Sequence, residues 1–439
     1  MESSFSPHQG FRVSATFARV SLSTLSVGTV LSSPIFDPDS AGTKLLGKNI
    51  EINEQFLNML VKRGINNVVV NRRDLARLKA GAPQGIARKA DDHSYSQICK
   101  TNRATSDIDE EVVGEGFKAS IEMPTETVAE RLGAPRQDRY DRHHMLETVK
   151  KSEQQIAYLD ELFVNLIKGS SANDESLEGV CRDSVKSILD DRDMFLCLGL
   201  NPFDTEYPAR HSLHVCSVAI SIGLMLGLDD ASLVDLGTGC LIHDVGMKMM
   251  PRKVYTEKRK LTPDELTSLA EHPVLTLDAL QCPGVRISRV ARIVAYQLHE
   301  RCDGSGYPRG RVVDEIHPLA RIAAVADAYV GLVSNRGHRK GLMPYFAIEK
   351  LLHDVAGGKF DSKSVRGLLH AVSLFPIGSF VEMSDGQVGR VVRSNGENFT
   401  RPIVEIWNAR HREYEIDMIN LASENSVQIV RATRAPQAA

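Results

Sequence analysis

From Phe11 to about Val70, apolar residues come in short β-branched spans between turn formers. Phe17-Ala18-Arg19-Val20-Ser21-Leu22 and Gly28-Thr29-Val30-Leu31 are two of them, and the pattern predicts strands. Between Ile52 and Gly64 the period changes. Phe56, Leu57, Leu60 and Val61 share one helical face, Gly64 ends the helix, and Ile65–Val70 reads as a strand. A small N-terminal α+β module over 11–80 accounts for this pattern. Residues 81–145 are rich in Gly, Ala, Asp, Arg, Ser and Thr with few apolar clusters, which predicts a partly disordered linker. Periodicity resumes near Met145. Ile156, Leu159, Leu162, Phe163 and Leu166 form a stripe that suits a connector helix pairing two chains into a homodimer, or equally an amphipathic helix packed on the next domain. From about Leu177 to Leu374 the pattern is helical, with helices expected at about 209–227, 231–246, 263–280, 285–299, 317–334 and 344–356. After Phe375 it reverts to short strands, Val381–Met383, Gly386–Val392 and Pro402–Trp407, separated by Asp-Gly and Asn-Gly turns. The expected architecture is multidomain and mainly α: a helical domain over 146–374 including the connector helix, flanked by the N-terminal module and by a small β extension over 375–431.

Composition narrows the function classes. The chain has 439 residues, 42% hydrophobic and 25% charged, with a formal net charge of -3. Such a balance supports a sizeable core and offers no basic bias toward a nucleic-acid polymer or an anionic membrane. The seven cysteines include no C-x-x-C pair and are odd in number, which fits reduced thiols in a cytoplasmic protein. The start, MESSFSPHQGFR, lacks a cationic region followed by an apolar one. The longest apolar run, about Val215 to Leu228, contains Ser217 and Ser221 and is too short to span a bilayer, so no membrane segment is expected.

The candidate chemistry lies in the helical region. His211, His243, Asp244, His272, His299 and Asp327 are four imidazoles and two carboxylates, a set that suits a pair of Fe, Mn, Zn or Ni ions. His243 and Asp244 are neighbours, about 100° apart if both lie on a helix, and the carboxylate can bridge two cations. His211 shares a face with Val215, Val218 and Ile222, and Asp327 lies inside the apolar run from Ile322 to Val333. A lone histidine on an apolar face is ordinarily a satisfied core residue, so spacing alone does not establish a metal site. Gly304-Ser305-Gly306-Tyr307-Pro308 is a constrained loop in which Tyr307 can cover a site. Arg336 and Arg339, with Lys248 nearby in the pattern, are candidates for phosphate oxygens.

Taken together these stretches resemble the HD-GYP family of bacterial signalling proteins, a branch of the HD superfamily of metal-dependent phosphohydrolases. The resemblance rests on Ala209-Arg210-His211, Leu241-Ile242-His243-Asp244-Val245-Gly246, Leu261–Glu265 with His272-Pro273, His299 to Pro308, and Glu315 to Tyr329 with Arg336 and Arg339. It implies a central all-helical HD-type bundle. It also implies hydrolysis of the second messenger cyclic di-GMP, to the linear dinucleotide or GMP, at a site of two divalent metals, Fe or Mn. Under it His211, His243, Asp244, His272, His299 and Asp327 are metal ligands, with Asp244 and Tyr307 catalytic. Tyr307, Arg336, Arg339 and Lys248 then contact substrate, and signalling proteins are expected partners. The chain departs from the family pattern at Tyr207, where some members carry a Glu that holds a third metal, and at Met247, Leu298, Val330 and Thr276. Leu298 stands where the family has a His, which implies reduced metal occupancy. Three readings stay open: a cyclic di-GMP phosphodiesterase, a catalytically impaired member acting as a nucleotide-sensing or scaffold module, or a hydrolase of a different phosphoester, since fold alone does not fix the substrate.

Overall fold

The alternation of short apolar spans near the N-terminus folds as antiparallel strands. In a computed structural model of the chain, the described residues are 17–21, 25, 27–36, 44–47, 50–62, 65, 67–71, 74, 105–109, 136–170, 174–199, 207–256, 259, 261–281, 286–335, 340–396, 398–407 and 416–435. They fall into two compact units, Met1–His93 and Ser94–Ala439. The first unit contains β1 (Phe17–Ser21), β2 (Ile35–Phe36), β3 (Lys44–Leu46), α1 (Glu54–Lys62) and β4 (Asn67–Asn71). Its sheet runs β1-β4-β2-β3, each pair antiparallel. Helix α1 begins where the Asn53 side chain accepts the Phe56 N–H at 2.8 Å. Its apolar face, Phe56 and Leu60, packs on Ile35, Val68 and Val70 of the sheet. The expected strand at Gly28–Leu31 is instead a turn with a single bridge, Val30 to Glu51, because Gly28 takes a positive φ of 89° there.

The second unit is mainly helical, and a helix that is apolar all round sits at its centre. That helix is α4 (Ala209–Met225), following α2 (Arg142–Ile167) and α3 (Asp174–Gly199). Then come α5 (Asp230–Ile242), α6 (Pro263–Leu269), α7 (His272–Ala279), α8 (Arg289–Gln297), α9 (Pro318–Val333), α10 (Pro344–Ala356) and α11 (Ser362–Val372). Helix α4 packs against α2, α3, α5, α9 and α11, while α8 lies on the other side of α5. The starts are written locally. Asp229, Thr262, Ser288 and Asp361 each accept a first-turn backbone N–H, and Thr262 forms a capping box with Glu265. No helix among the described residues is long and apolar enough to cross a membrane.

Three expected helix bounds change in ways that matter for the site. The helix expected over 231–246 stops at Ile242, and Val245–Met249 is a 3-10 turn. The helix expected over 263–280 breaks at Ala270-Glu271 into α6 and α7. The helix expected over 285–299 ends at Gln297. Of the stretch read as a linker, 105–109 forms one helical turn with Ile108 in the main core, and α2 begins at Arg142.

Beyond α11 the chain forms β5 (Phe380–Met383), β6 (Val388–Arg393), β7 (Ile403–Trp407), β8 (Ile416–Asn420) and β9 (Ile429–Thr433). They make one antiparallel sheet in the order β8-β7-β6-β5-β9. One buried ion pair ties this sheet to the helices. Asp191 breaks α3 with φ -149° and ψ 90°, and its carboxylate accepts the Met194 N–H. The same carboxylate receives Arg393 of β6 at 2.6 and 2.9 Å, and the guanidinium lies 3.7 Å over the Tyr140 ring. Both charged side chains are essentially out of water, at 2% and 4% exposure, so neither charge can be left alone. Arg393→Met is therefore expected to lower unfolding free energy by ~3–5 kcal/mol, read as a fall in the urea midpoint. A change below about 1 kcal/mol, the scale of a surface ion pair, would mean that the pair carries no such burden.

Candidate metal centre

Each of the six donors is aimed by the backbone of a different segment. His211 projects from the first turn of α4, and Asp327 from the interior of α9. His243 caps the C-terminus of α5, and Asp244 follows it at the head of the 3-10 turn, with φ -101° and ψ 11°. The expectation that both lie on one helix is thus corrected: the helix ends between them, and the bend turns both side chains inward. His272 opens α7 just after the break at Ala270-Glu271, and His299 lies beyond the end of α8. Helix ends leave backbone carbonyls unpaired, and two imidazoles use them. His243 Nδ1 donates to the Cys240 carbonyl and His272 Nδ1 to the Leu269 carbonyl, each at 2.7 Å.

These bonds fix the rings so that each Nε2 faces the pocket. Around Asp244 Oδ1 lie His272 Nε2 at 3.2 Å, His243 Nε2 at 3.4 Å and His299 Nε2 at 3.8 Å. All three Nε2 atoms are buried, and none makes a hydrogen bond. Asp327 Oδ1 lies 3.1 Å from His211 Nε2, and its Oδ2 lies 3.5 Å from His299 Nδ1. Donor atoms of His211, His243 and Asp327 fall within 4.8 Å of one another, as do those of His243, Asp244 and His299.

The electrostatics point the same way. Burial pushes the His243 imidazole down to about 4, so the ring is neutral at physiological pH. Its Nδ1 carries the proton, and its Nε2 offers a lone pair toward a carboxylate. Burial would raise Asp244, but His243 and the other surrounding imidazoles outweigh it and hold the carboxyl well below its usual range. Asp327 is likewise held low against burial by His211 and His299. His299 is raised in turn, because Asp244 and Asp327 overcome the burial that would lower it. A lone pair facing an ionised carboxylate in a dry pocket is unfavourable unless a cation lies between them. The set therefore fits a divalent ion with mixed nitrogen and oxygen preference.

The Gly-Tyr-Pro loop closes over this cluster. The Tyr307 ring stacks on His299 at 4.9 Å and 17°, and the Tyr307 N–H donates to the His299 carbonyl. Gly306 presses on the Glu300 and Arg301 backbone, where an added Cβ would lie 2.4 Å from Arg301 N. Lys248 does not reach the cluster; its ammonium pairs with Asp160 of α2 at 2.5 Å. Arg336 and Arg339 lie outside the described residues.

Several contacts were not legible in the sequence as contacts of this site. The Tyr207 hydroxyl donates to Asp244 Oδ2 at 2.8 Å, occupying the oxygen that faces away from the three Nε2 atoms. Thr276 Oγ1 donates to the His243 carbonyl and accepts from Gly246 N–H, tying α7 to the bend. Both residues stand at departures from the family pattern, which was the available signal. Arg301 Nη2 lies 3.8 Å from Asp327 Oδ2 and its guanidinium sits over Phe360. The three apolar departures are absorbed by packing: Met247 joins Met250 and Val254, while Leu298 and Val330 belong to the main helical core.

Residues 200–363 match the family model described as an HD domain, and residues 380–438 match a KOW domain associated with HD domain. Cyclic di-GMP phosphodiesterase PA4108 of Pseudomonas aeruginosa is 32% identical over 206 residues, 46% of this chain and 48% of that protein. Cyclic di-GMP phosphodiesterase PdeB of Borreliella burgdorferi is 25% identical over 199 residues, 45% and 52%. The 3'3'-cGAMP-specific phosphodiesterase 1 of Vibrio cholerae is 29% identical over 159 residues, 36% of each chain. The chain spans about half the length, or less, of these curated relatives. The stretch matched by the HD-domain model, residues 200–363, carries all six candidate donors and the Gly-Tyr-Pro loop, and this region is an HD domain similar to those of the HD-GYP family.

Proposed function

We propose that this chain is a metal-dependent phosphodiesterase that opens the cyclic dinucleotide cyclic di-GMP, giving the linear dinucleotide or GMP. The observation that carries the reading is the set of three buried Nε2 atoms without hydrogen bonds grouped around the ionised Asp244. His211, His243, His272, His299, Asp244 and Asp327 are the residues that would hold two divalent ions, Fe or Mn. Such ions, when bound, supply Lewis acidity for phosphodiester hydrolysis. The remaining work belongs to the chain. Asp244 and Asp327 present negative charge on opposite sides of the imidazole cluster. The Tyr207 hydrogen bond fixes the rotation of the Asp244 carboxylate. Tyr307, stacked on His299, forms one wall of the substrate pocket and excludes water from that side. Arg301, beside Asp327, is the described cation nearest the second carboxylate and is the candidate for a phosphate oxygen. Arg336 and Arg339 are sequence candidates for the same role, while Lys248 is engaged by Asp160.

The domain layout that accompanies this reading is an N-terminal regulatory module, a catalytic helical domain and a β extension, in a chain that meets signalling partners in the cytoplasm. Relatives named for 3'3'-cGAMP support a second substrate of the same chemical class.

The test is turnover by the full chain loaded with Mn or Fe, with both cyclic dinucleotides supplied and products separated by chromatography. Metal-loaded protein that leaves both substrates intact would sink the proposal. Asp244→Ala is expected to lower turnover by ~10²- to 10³-fold or more, with unchanged circular dichroism; a variant as fast as the parent would remove Asp244 from the site. Gly246→Ala probes the bend itself, since the added Cβ would lie 2.2 Å from the His272 carbonyl oxygen. It is expected to cost ~1–3 kcal/mol in stability by overpacking and to lower metal content measured by elemental analysis. Full metal content in that variant would show that the approach of Gly246 to α7 does not position His272.

A further inference from the structure

A short segment far upstream in the chain grips the strand of residues leaving the Gly-Tyr-Pro loop. Residues 105–109 form one helical turn, with Thr105 and Ile108 buried and Ile108 in the main core. At its end, Asp109 Oδ2 receives Arg309 Nε at 3.0 Å and Nη2 at 2.9 Å, and Oδ1 receives Arg311 Nη2 at 2.5 Å. The Tyr296 hydroxyl of α8 adds a donor at 3.2 Å. Thr105 Oγ1 accepts from Arg309, and the Asp107 carbonyl accepts from Arg289. The backbone N–H groups of Arg309 and Arg311 meanwhile donate to the two oxygens of Glu300, at 2.7 and 2.9 Å. Glu300 follows His299 directly, and the His299 carbonyl holds Tyr307.

These contacts form one continuous path: Asp109 to two arginines, their backbone to Glu300, and Glu300 to the segment that sets His299 and Tyr307. Arg309 and Arg311 are two positions apart, mostly shielded from water and of like charge. Their repulsion is relieved by the Asp109 carboxylate, which pairs with both guanidinium groups and comes from outside the helical domain's own sequence pattern. We infer that Asp109 is a positioning residue for the candidate site: through Arg309 and Arg311 it holds the Glu300–Arg311 loop so that Tyr307 stays stacked on His299. The kinetic readout of this inference rests on the phosphodiesterase reading; the structural readout does not.

The experiment compares full-length parent with Asp109→Ala, Asp109→Asn and Asp109→Glu, and uses Glu153→Ala as a control that breaks the exposed Arg210–Glu153 pair instead. Hydrogen exchange of the 300–311 backbone amides is expected to speed up about tenfold or more in the Ala variant, the scale of a lost charge-assisted bond. It should rise less in Asn, return toward the parent in Glu, and stay unchanged in the control. Exchange in α4 and α9 should not move. On cyclic di-GMP the Ala variant is expected to lose about tenfold in kcat at unchanged metal content, with KM little affected. Parent-like exchange in Asp109→Ala, or acceleration spread evenly through the helical core, would overturn the inference. A parent protein without turnover would fail the phosphodiesterase reading and leave the exchange result to decide this one. Should Asp109→Ala not fold, the Asn and Glu variants give the same ordering, and equal exchange in those two would also overturn it.

Discussion

Burying a carboxylate among helices is prohibitive unless donors or opposite charge surround it. At the candidate site Asp244 and Asp327 are buried, at 2% and 8% exposure. Every feature of the site answers that constraint. Four imidazoles come from four other segments, two of them held by carbonyls at helix ends, and a tyrosine hydroxyl takes one remaining carboxylate oxygen. The compensation stays incomplete at three ring nitrogens, a remainder that a metal cation would satisfy. The chemistry of the centre and the stability of the bundle are therefore one problem.

Helix termination does much of the work. A continuous helix through His243 and Asp244 would point one of the two donors away from the pocket. Ending α5 at Ile242, breaking α6 from α7 before His272, and ending α8 before His299 place four donors, His243, Asp244, His272 and His299, where the backbone turns. Gly246 is needed for one of these junctions, because α7 approaches the bend too closely for any Cβ. Thr276 then stitches the junction with two hydrogen bonds. The same economy recurs at the other end of the unit. The break in α3 at Asp191 supplies both a cap for the resumed helix and the partner for Arg393 of the terminal sheet.

The replacements at Met247, Leu298 and Val330 had pointed in the sequence toward an impaired site. In the fold each side chain lies in apolar packing, and the six donors converge without them. The convergence of the six groups therefore does not depend on these three positions. Lys248, one position from Met247, is drawn off to Asp160, which leaves Arg301 as the nearest described cation to Asp327.

Local periodicity determined the larger part of the fold. Helical spacing marked α4, α9 and α10 to within about two residues, and β-branched runs with Asp-Gly and Asn-Gly turns marked β5, β6 and β7. Both signals arise from neighbours in the chain, so sequence carries them directly. The six candidate donors were singled out in the sequence through the family resemblance, since an imidazole on an apolar face does not mark a site by itself, and the fold brings these groups together. What tertiary structure alone decided was which of these groups meet, and with what geometry. The bend at His243-Asp244, the Tyr207 bond, the diversion of Lys248 and the grip of Asp109 on Arg309 and Arg311 all join residues tens to hundreds of positions apart, or turn on where a helix stops. No local pattern encodes such pairings, since their energies exist only once the core has brought the partners together.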